Sequence, residues 1–199
     1  MKEMAGPSEW YRALRQQLRQ ARWADPLRES AMAGRLRKWT EHLTGAVVAA
    51  CEAVGWAAVA RGHLAEVLPV PRQEYLAVDV MAFPPADRPG WRWPVAAFEL
   101  ENRPDLDAIS YSVWKISVVR SAWGSVFCYR REFDEIGDLL RALTDGVMDR
   151  LFRPARPKHV VFPPLLLVVG TRSRAEDFPD GFFKPYLWDS TASQFRQLW

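Results

Sequence analysis

The chain predicts an α/β fold, a mixed central sheet flanked by helices, and three observations carry that reading. Segments 75–83 (YLAVDVMAF), 95–101 (VAAFELE) and 163–171 (PPLLLVVGT) are almost wholly apolar, the pattern of strands covered on both faces. Segments 108–123 and 133–152 carry apolar residues at helical spacing. The length, 199 residues, suits a helical extension over 1–28 followed by a single α/β domain over 29–199.

Taken in order, 8–22 reads as a helix with Ser8 placed to cap it and Trp10, Leu14 and Leu18 on one stripe. Its other faces are rich in Arg and Gln, which suits a solvated helix or one lying on a nucleic-acid backbone. Pro26 is expected to break the segment. Residues 29–54 predict one or two helices that stop at Gly55. Glu41 and Glu52 lie on them, facing solvent or the sheet. WAAVAR, 56–61, is a first strand, and 75–83 a second whose apolar faces are interrupted by Asp79 alone. Pro, Gly and Asp make 84–94 a loop. Its Trp91, Trp93, Arg88 and Arg92 either cover the core or meet phosphates and bases. The third strand, 95–101, alternates Val95, Ala97, Glu99 and Glu101 against Ala96, Phe98 and Leu100. Helix 108–123 follows, capped by Asp105 or Asp107, with Ile109, Val113, Ile116 and Arg120 in one row, Tyr111, Trp114, Val118 and Val119 widening it, and Gly124 ending it. SVFCYR is a fourth strand, 133–152 an amphipathic helix and 163–171 a last buried strand. The aromatic tail, with Phe182, Phe183, Tyr186, Trp188, Phe195 and Trp199, reads as cover for a core edge.

Composition narrows the function classes. A hydrophobic share of 49% supports a true core and excludes a disordered chain. The net charge of +3 is too small to announce a polyanionic partner. Cys51 and Cys128 are distant and sit in apolar surroundings, as small buried hydrophobes. No apolar run approaches the roughly 18 residues that span a bilayer, and 1–12 lacks the apolar core of a signal peptide, so a soluble cytoplasmic protein is expected, without a membrane partner. GxxxxGK[ST], GxGxxG, HExxH and GxSxG are all absent, and His42, His63 and His159 are isolated.

What remains is acid in strands that should be buried. Asp79, Glu99 and Glu101 cannot all stay ionised side by side without compensation, and a hard divalent cation supplies it. A glycosidase pair is another use of carboxylates, with no further support in the chain.

These residues resemble the PD-(D/E)XK nuclease superfamily, the restriction-endonuclease-like fold. The order helix, strand, strand with Asp79, strand with Glu99-Leu100-Glu101, helix, strand is similar to its αβββαβ core over roughly 38–130. The resemblance implies a Mg²⁺ or Mn²⁺ site formed by Asp79, Glu99 and the Leu100 carbonyl. Where the family has Lys, this chain has Glu101, either a further ligand or the group that orients the attacking water. Lys115 on the following helix is placed as the substitute Lys. Asn102 and Tyr111 would orient these groups. The function implied is a divalent-metal-dependent nuclease acting on DNA, its backbone met by Arg88, Arg92 and the amino-terminal helix, with Trp91 against bases and a homodimer as one possible assembly. A non-catalytic binding module on the same fold is the alternative, and hydrolysis of another phosphoester a third reading.

Overall fold

A computed structural model describes residues 4–152 and 162–199. His159, read above as isolated, lies outside them. The described residues form an α/β structure with a seven-stranded mixed open sheet in the sequential order β1 to β7. The strands are β1 (Ala57–Ala60), β2 (Val80–Phe83), β3 (Ala96–Leu100), β4 (Trp123–Arg130), β5 (Leu165–Thr171), β6 (Phe183–Asp189) and β7 (Gln194–Gln197). β1, β2 and β3 are antiparallel neighbours, β3, β4 and β5 run parallel, and β6 and β7 return antiparallel. The helices are α1 (Pro7–Leu18), α2 (Ala21–Met32), α3 (Leu36–Ala53), α4 (Leu106–Val118), α5 (Glu135–Leu143) and the short α6 (Asp149–Phe152), with a π-helical turn (Thr144–Met148) joining the last two.

Burial divides the molecule into two cores, one on each face of the sheet. On one face α1, α2 and α3 cover Ala96, Phe98 and Leu100 of β3. On the other, α4 and α5 cover Ala97, Val126, Cys128 and Leu167. Both parallel connections cross the same face, as right-handed crossovers in one direction require. Cys51 and Cys128 belong to opposite cores and are free thiols. No helix among the described residues is long and apolar enough to cross a membrane.

Several expectations are corrected. α1 begins at Pro7 with Gly6 as its N-cap, so Ser8 already lies inside the helix; Pro fits a first helical position because its missing N–H would be unpaired there anyway. The break after α1 falls at Arg19 and Gln20, and Pro26 lies within α2. The clash and lost bond of a helical proline fall near the solvated N-terminus, while Leu27 is fully buried and holds the helix in place. The stripe of Trp10, Leu14 and Leu18 is buried as expected, and it shares a core with the sheet. Gly55, at φ +84°, does end the segment after α3.

α4 stops at Val118 rather than Gly124, which lies in β4. Its missing side chain lets Ile116 settle on the strand, where a Cβ would overlap Ile116 Cγ2. The close approach brings α4, and with it Lys115, down to β3. Of the residues expected to widen the buried face of α4, Val119 at its end is buried, but Tyr111, Trp114 and Val118 are exposed. The tail does cover a core edge, with Phe182 and Phe183 buried in one core and Tyr186 and Trp188 in the other, but it does so as sheet. It forms β6 and β7, because the open edge of β5 offers backbone partners that propensity alone does not reveal.

Candidate active site

β3 places Glu99 on the α4 face and Phe98 and Leu100 on the other, as strand alternation predicts. Glu99 is 6% exposed. Lys115, one residue before the Ile116 that seats on Gly124, reaches across so that its Nζ lies 2.7 Å from Glu99 Oε2. The same Nζ donates to the Ala77 carbonyl at 2.7 Å. The expected substitute Lys therefore meets the expected acid.

Asp79 is not inside a strand. β2 begins at Val80, and 75–78 is a tight turn in which the Val78 N–H donates to the Tyr75 carbonyl at 3.0 Å. Its two central residues, Leu76 and Ala77, have φ of +56° and +53°. Left-handed backbone costs a residue with a Cβ about 1–2 kcal/mol. Tertiary bonds on both flanks hold the turn: Lys115 on the Ala77 carbonyl and Asp79 Oδ2, which accepts the Leu100 N–H at 2.8 Å. That carboxylate takes up a β3 donor beyond the last β2–β3 pair, Val80 with Phe98. The Asp79 N–H in turn donates to Glu99 Oε1 at 3.4 Å.

Electrostatics follow from this crowding. Burial is the main reason that the Glu99 carboxyl is pushed up from 4.5 to about 7; the Lys115 hydrogen bond opposes it and the nearby Asp79 charge adds to it. Asp79 is also raised, by burial first, with the Leu100 amide and Lys115 opposing and Glu74 and Glu101 adding. Both acids remain short of positive charge despite Lys115.

The other expected residues are arranged as follows. Glu101 continues the line of β3, its N–H on the Phe127 carbonyl at 2.9 Å, and its Oε1 accepts the Arg103 N–H at 2.8 Å. Asn102 Nδ2 donates to Thr40 Oγ1 on α3, and its carbonyl accepts from Arg172 at 3.0 Å. Asn102 thus ties the end of β3 to α3 and to the segment after β5. Tyr111 is exposed and packs against Trp114, ring centroids 5.7 Å apart. Glu41 and Glu52 of α3 are exposed. Arg88, Trp91 and Trp93 are exposed, so the two tryptophans do not seal the core. The Arg-rich α1 packs on the opposite face of the sheet, and its Arg15 and the Arg19 that follows it pair with Asp180 at 3.4 and 2.7 Å. It does not border the acids.

Among the described residues no group of three or more His, Cys, Asp or Glu is arranged to hold a metal ion. The donors on offer are two carboxylates and backbone carbonyls. The Ala77 carbonyl and the Asn102 backbone carbonyl that accepts from Arg172 carry no signal in the sequence, because a backbone acceptor looks the same at every position. No family model matches the chain, and neither a curated protein nor a solved structure matches it.

Proposed function

We propose that this protein is a divalent-metal-dependent nuclease that hydrolyses DNA phosphodiester bonds on a restriction-endonuclease-like scaffold. The observation that carries the reading is the junction of Lys115 of α4 with Glu99 of β3 at 2.7 Å beside Asp79, which sits just before β2. The element order α3, β1, β2, β3, α4, β4, with an antiparallel trio followed by a parallel strand, supports the scaffold.

The donor set fits Mg²⁺ or Mn²⁺. Asp79 uses Oδ2 on the Leu100 amide and Glu99 uses Oε2 on Lys115, which leaves Asp79 Oδ1 and the weakly engaged Glu99 Oε1. Mg²⁺ commonly takes one or two carboxylates and keeps several waters. Asp79, Glu99 and the Leu100 carbonyl would hold it, and it would supply an acidified water and charge neutralisation at the phosphate. The chain's own groups do the rest. Lys115 has three N–H donors, of which Glu99 and Ala77 take two; the third is left to donate to the phosphate or the attacking water. Glu101 would orient that water, and the exposed Arg88 would meet a backbone phosphate.

Calorimetric titration with Mn²⁺ together with a cleavage assay on plasmid and oligonucleotide DNA tests the reading. Asp79→Ala and Glu99→Ala should abolish cleavage, and Lys115→Met should slow it by about 10²–10³-fold, the loss typical of one transition-state donor. Absence of divalent binding at millimolar concentration would sink it. One observation favours a non-catalytic binding module instead: Glu99 is already paired with Lys115 at 2.7 Å, as in a structural ion pair. That reading predicts DNA or partner binding in chelator with no cleavage under any metal.

A further inference from the structure

The turn that carries Asp79 has a second side. A groove of about 330 Å³ runs between the 75–78 turn and the 84–94 loop. Met81 and Phe83 of β2 line it from beneath, and Leu76, Trp91 and Trp93 rise beside them. Trp91 and Trp93 are 77% and 64% exposed. Neither indole is packed into the buried core beneath, which includes Met81 and Phe83. The Arg92 guanidinium is bonded to the carbonyls of Gly90 at 3.1 Å and Arg88 at 2.8 Å, which holds the loop between the two indoles in shape. The Arg120 guanidinium lies 4.3 Å from the Trp93 ring centre. Arg92 and Arg120 are the charged residues lining the groove, with no acid among its lining residues.

Flat aromatic faces with positive charge and no negative charge suit a ligand that is planar, aromatic and anionic. A nucleotide has all three properties, and stacking on aromatic side chains is how proteins hold strands whose bases are free. An intact duplex offers no base face, because its bases are stacked on one another. Leu76 lines the groove while the next residue, Ala77, accepts from Lys115, so groove and acids are two sides of one turn.

We propose that this groove holds unpaired nucleobases, so that the protein takes DNA with a single-stranded or frayed segment rather than an intact duplex; its role in choosing the substrate rests on the nuclease reading above.

The test is fluorescence anisotropy in EDTA, where no cleavage occurs, with a labelled oligodeoxythymidine strand and a blunt duplex as probes. The strand should bind at least about tenfold tighter than the duplex, since each stacked base is worth about 5- to 150-fold in affinity. Trp91→Ala or Trp93→Ala should remove a factor in that range, and the Phe variants should recover most of it. Because both indoles are exposed, the variants keep the core, which far-UV circular dichroism verifies. Equal affinity for strand and duplex, or Ala variants that hold the strand as the parent does, would overturn the proposal. So would a dimer, seen by sedimentation, that these variants split with strand affinity unchanged, since the groove would then be a self-association face. Tryptophan-dependent strand binding without any Mn²⁺-dependent cleavage would keep the groove and sink the nuclease. Asp79-dependent cleavage of duplex with no preference for the strand would do the reverse.

Discussion

The two faces of β3 solve the same problem differently. Towards α1–α3 the strand presents Ala96, Phe98 and Leu100, and the fit carries no charge: Trp10 lies 4.6 Å from the Phe98 ring and 5.4 Å from that of Trp123. Towards α4 it presents Ala97 and then Glu99, whose desolvation Lys115 only partly offsets. The first face shows that this strand can be covered without charge. The acid on the second is therefore not demanded by packing, and a costly, perturbed group kept beside two others is what a site looks like.

That contrast can be broken in four ways. The largest expected effect is on the apolar face. Trp10→Ala should cost about 3–5 kcal/mol in urea denaturation, the loss typical of a buried aromatic ring. Next is Lys115→Met, which strands Glu99 and should cost about 2–3 kcal/mol at pH 8.5, somewhat below the loss typical of a fully buried pair because the Lys115 side chain is 18% exposed, and less at pH 5.5 where Glu99 takes up a proton. The double variant Glu99→Met/Lys115→Met should regain that loss or exceed the parent in stability. A double variant less stable than Lys115→Met alone would show that the acid is structural after all.

The third concerns pH. Folded Glu99 holds its proton up to about 7, against 4.5 for the ordinary group, so between these values the native state binds more protons than the unfolded chain. Its contribution to stability should therefore fall by about 1–3 kcal/mol as pH rises through that window and stay level above it. Denaturation midpoints of the parent and Glu99→Gln across pH 4–8 should diverge accordingly, with the Gln variant flatter. The smallest effect is at the turn. Leu76→Asn/Ala77→Gly replaces two left-handed residues with the pair such turns prefer and should raise stability by about 1 kcal/mol in thermal melts.

The elements that were legible in the sequence are those buried on both sides. β3 and β5 are apolar at nearly every position, and the buried row of α4, Ile109, Val113 and Ile116, repeats at helical spacing. The acids stood out for the same reason, as exceptions in a uniform background. The failures have a common cause in long-range contact. Residues 75–79 carry a strand's composition, yet Lys115 and the Leu100 amide hold them as turn and cap. β6 and β7 exist because β5 has an open edge. Tyr111, Trp114 and Val118 match a helix's apolar face, but nothing in their spacing says that the sheet lies on another side. Pro26 reads as a breaker until the packing of Leu27 is counted.

By itself the sequence determined the α/β class, the strand that carries Glu99 and the alternation that separates it from Phe98, because these follow from hydrophobic period and local geometry. Only the tertiary structure decided that Lys115 meets Glu99, that Asp79 caps Leu100 rather than pairing in β2, and that Trp91 and Trp93 stand open beside them. Periodicity tells which residues share a face; which faces meet depends on the approach of α4 over Gly124 and on backbone partners that every residue carries alike.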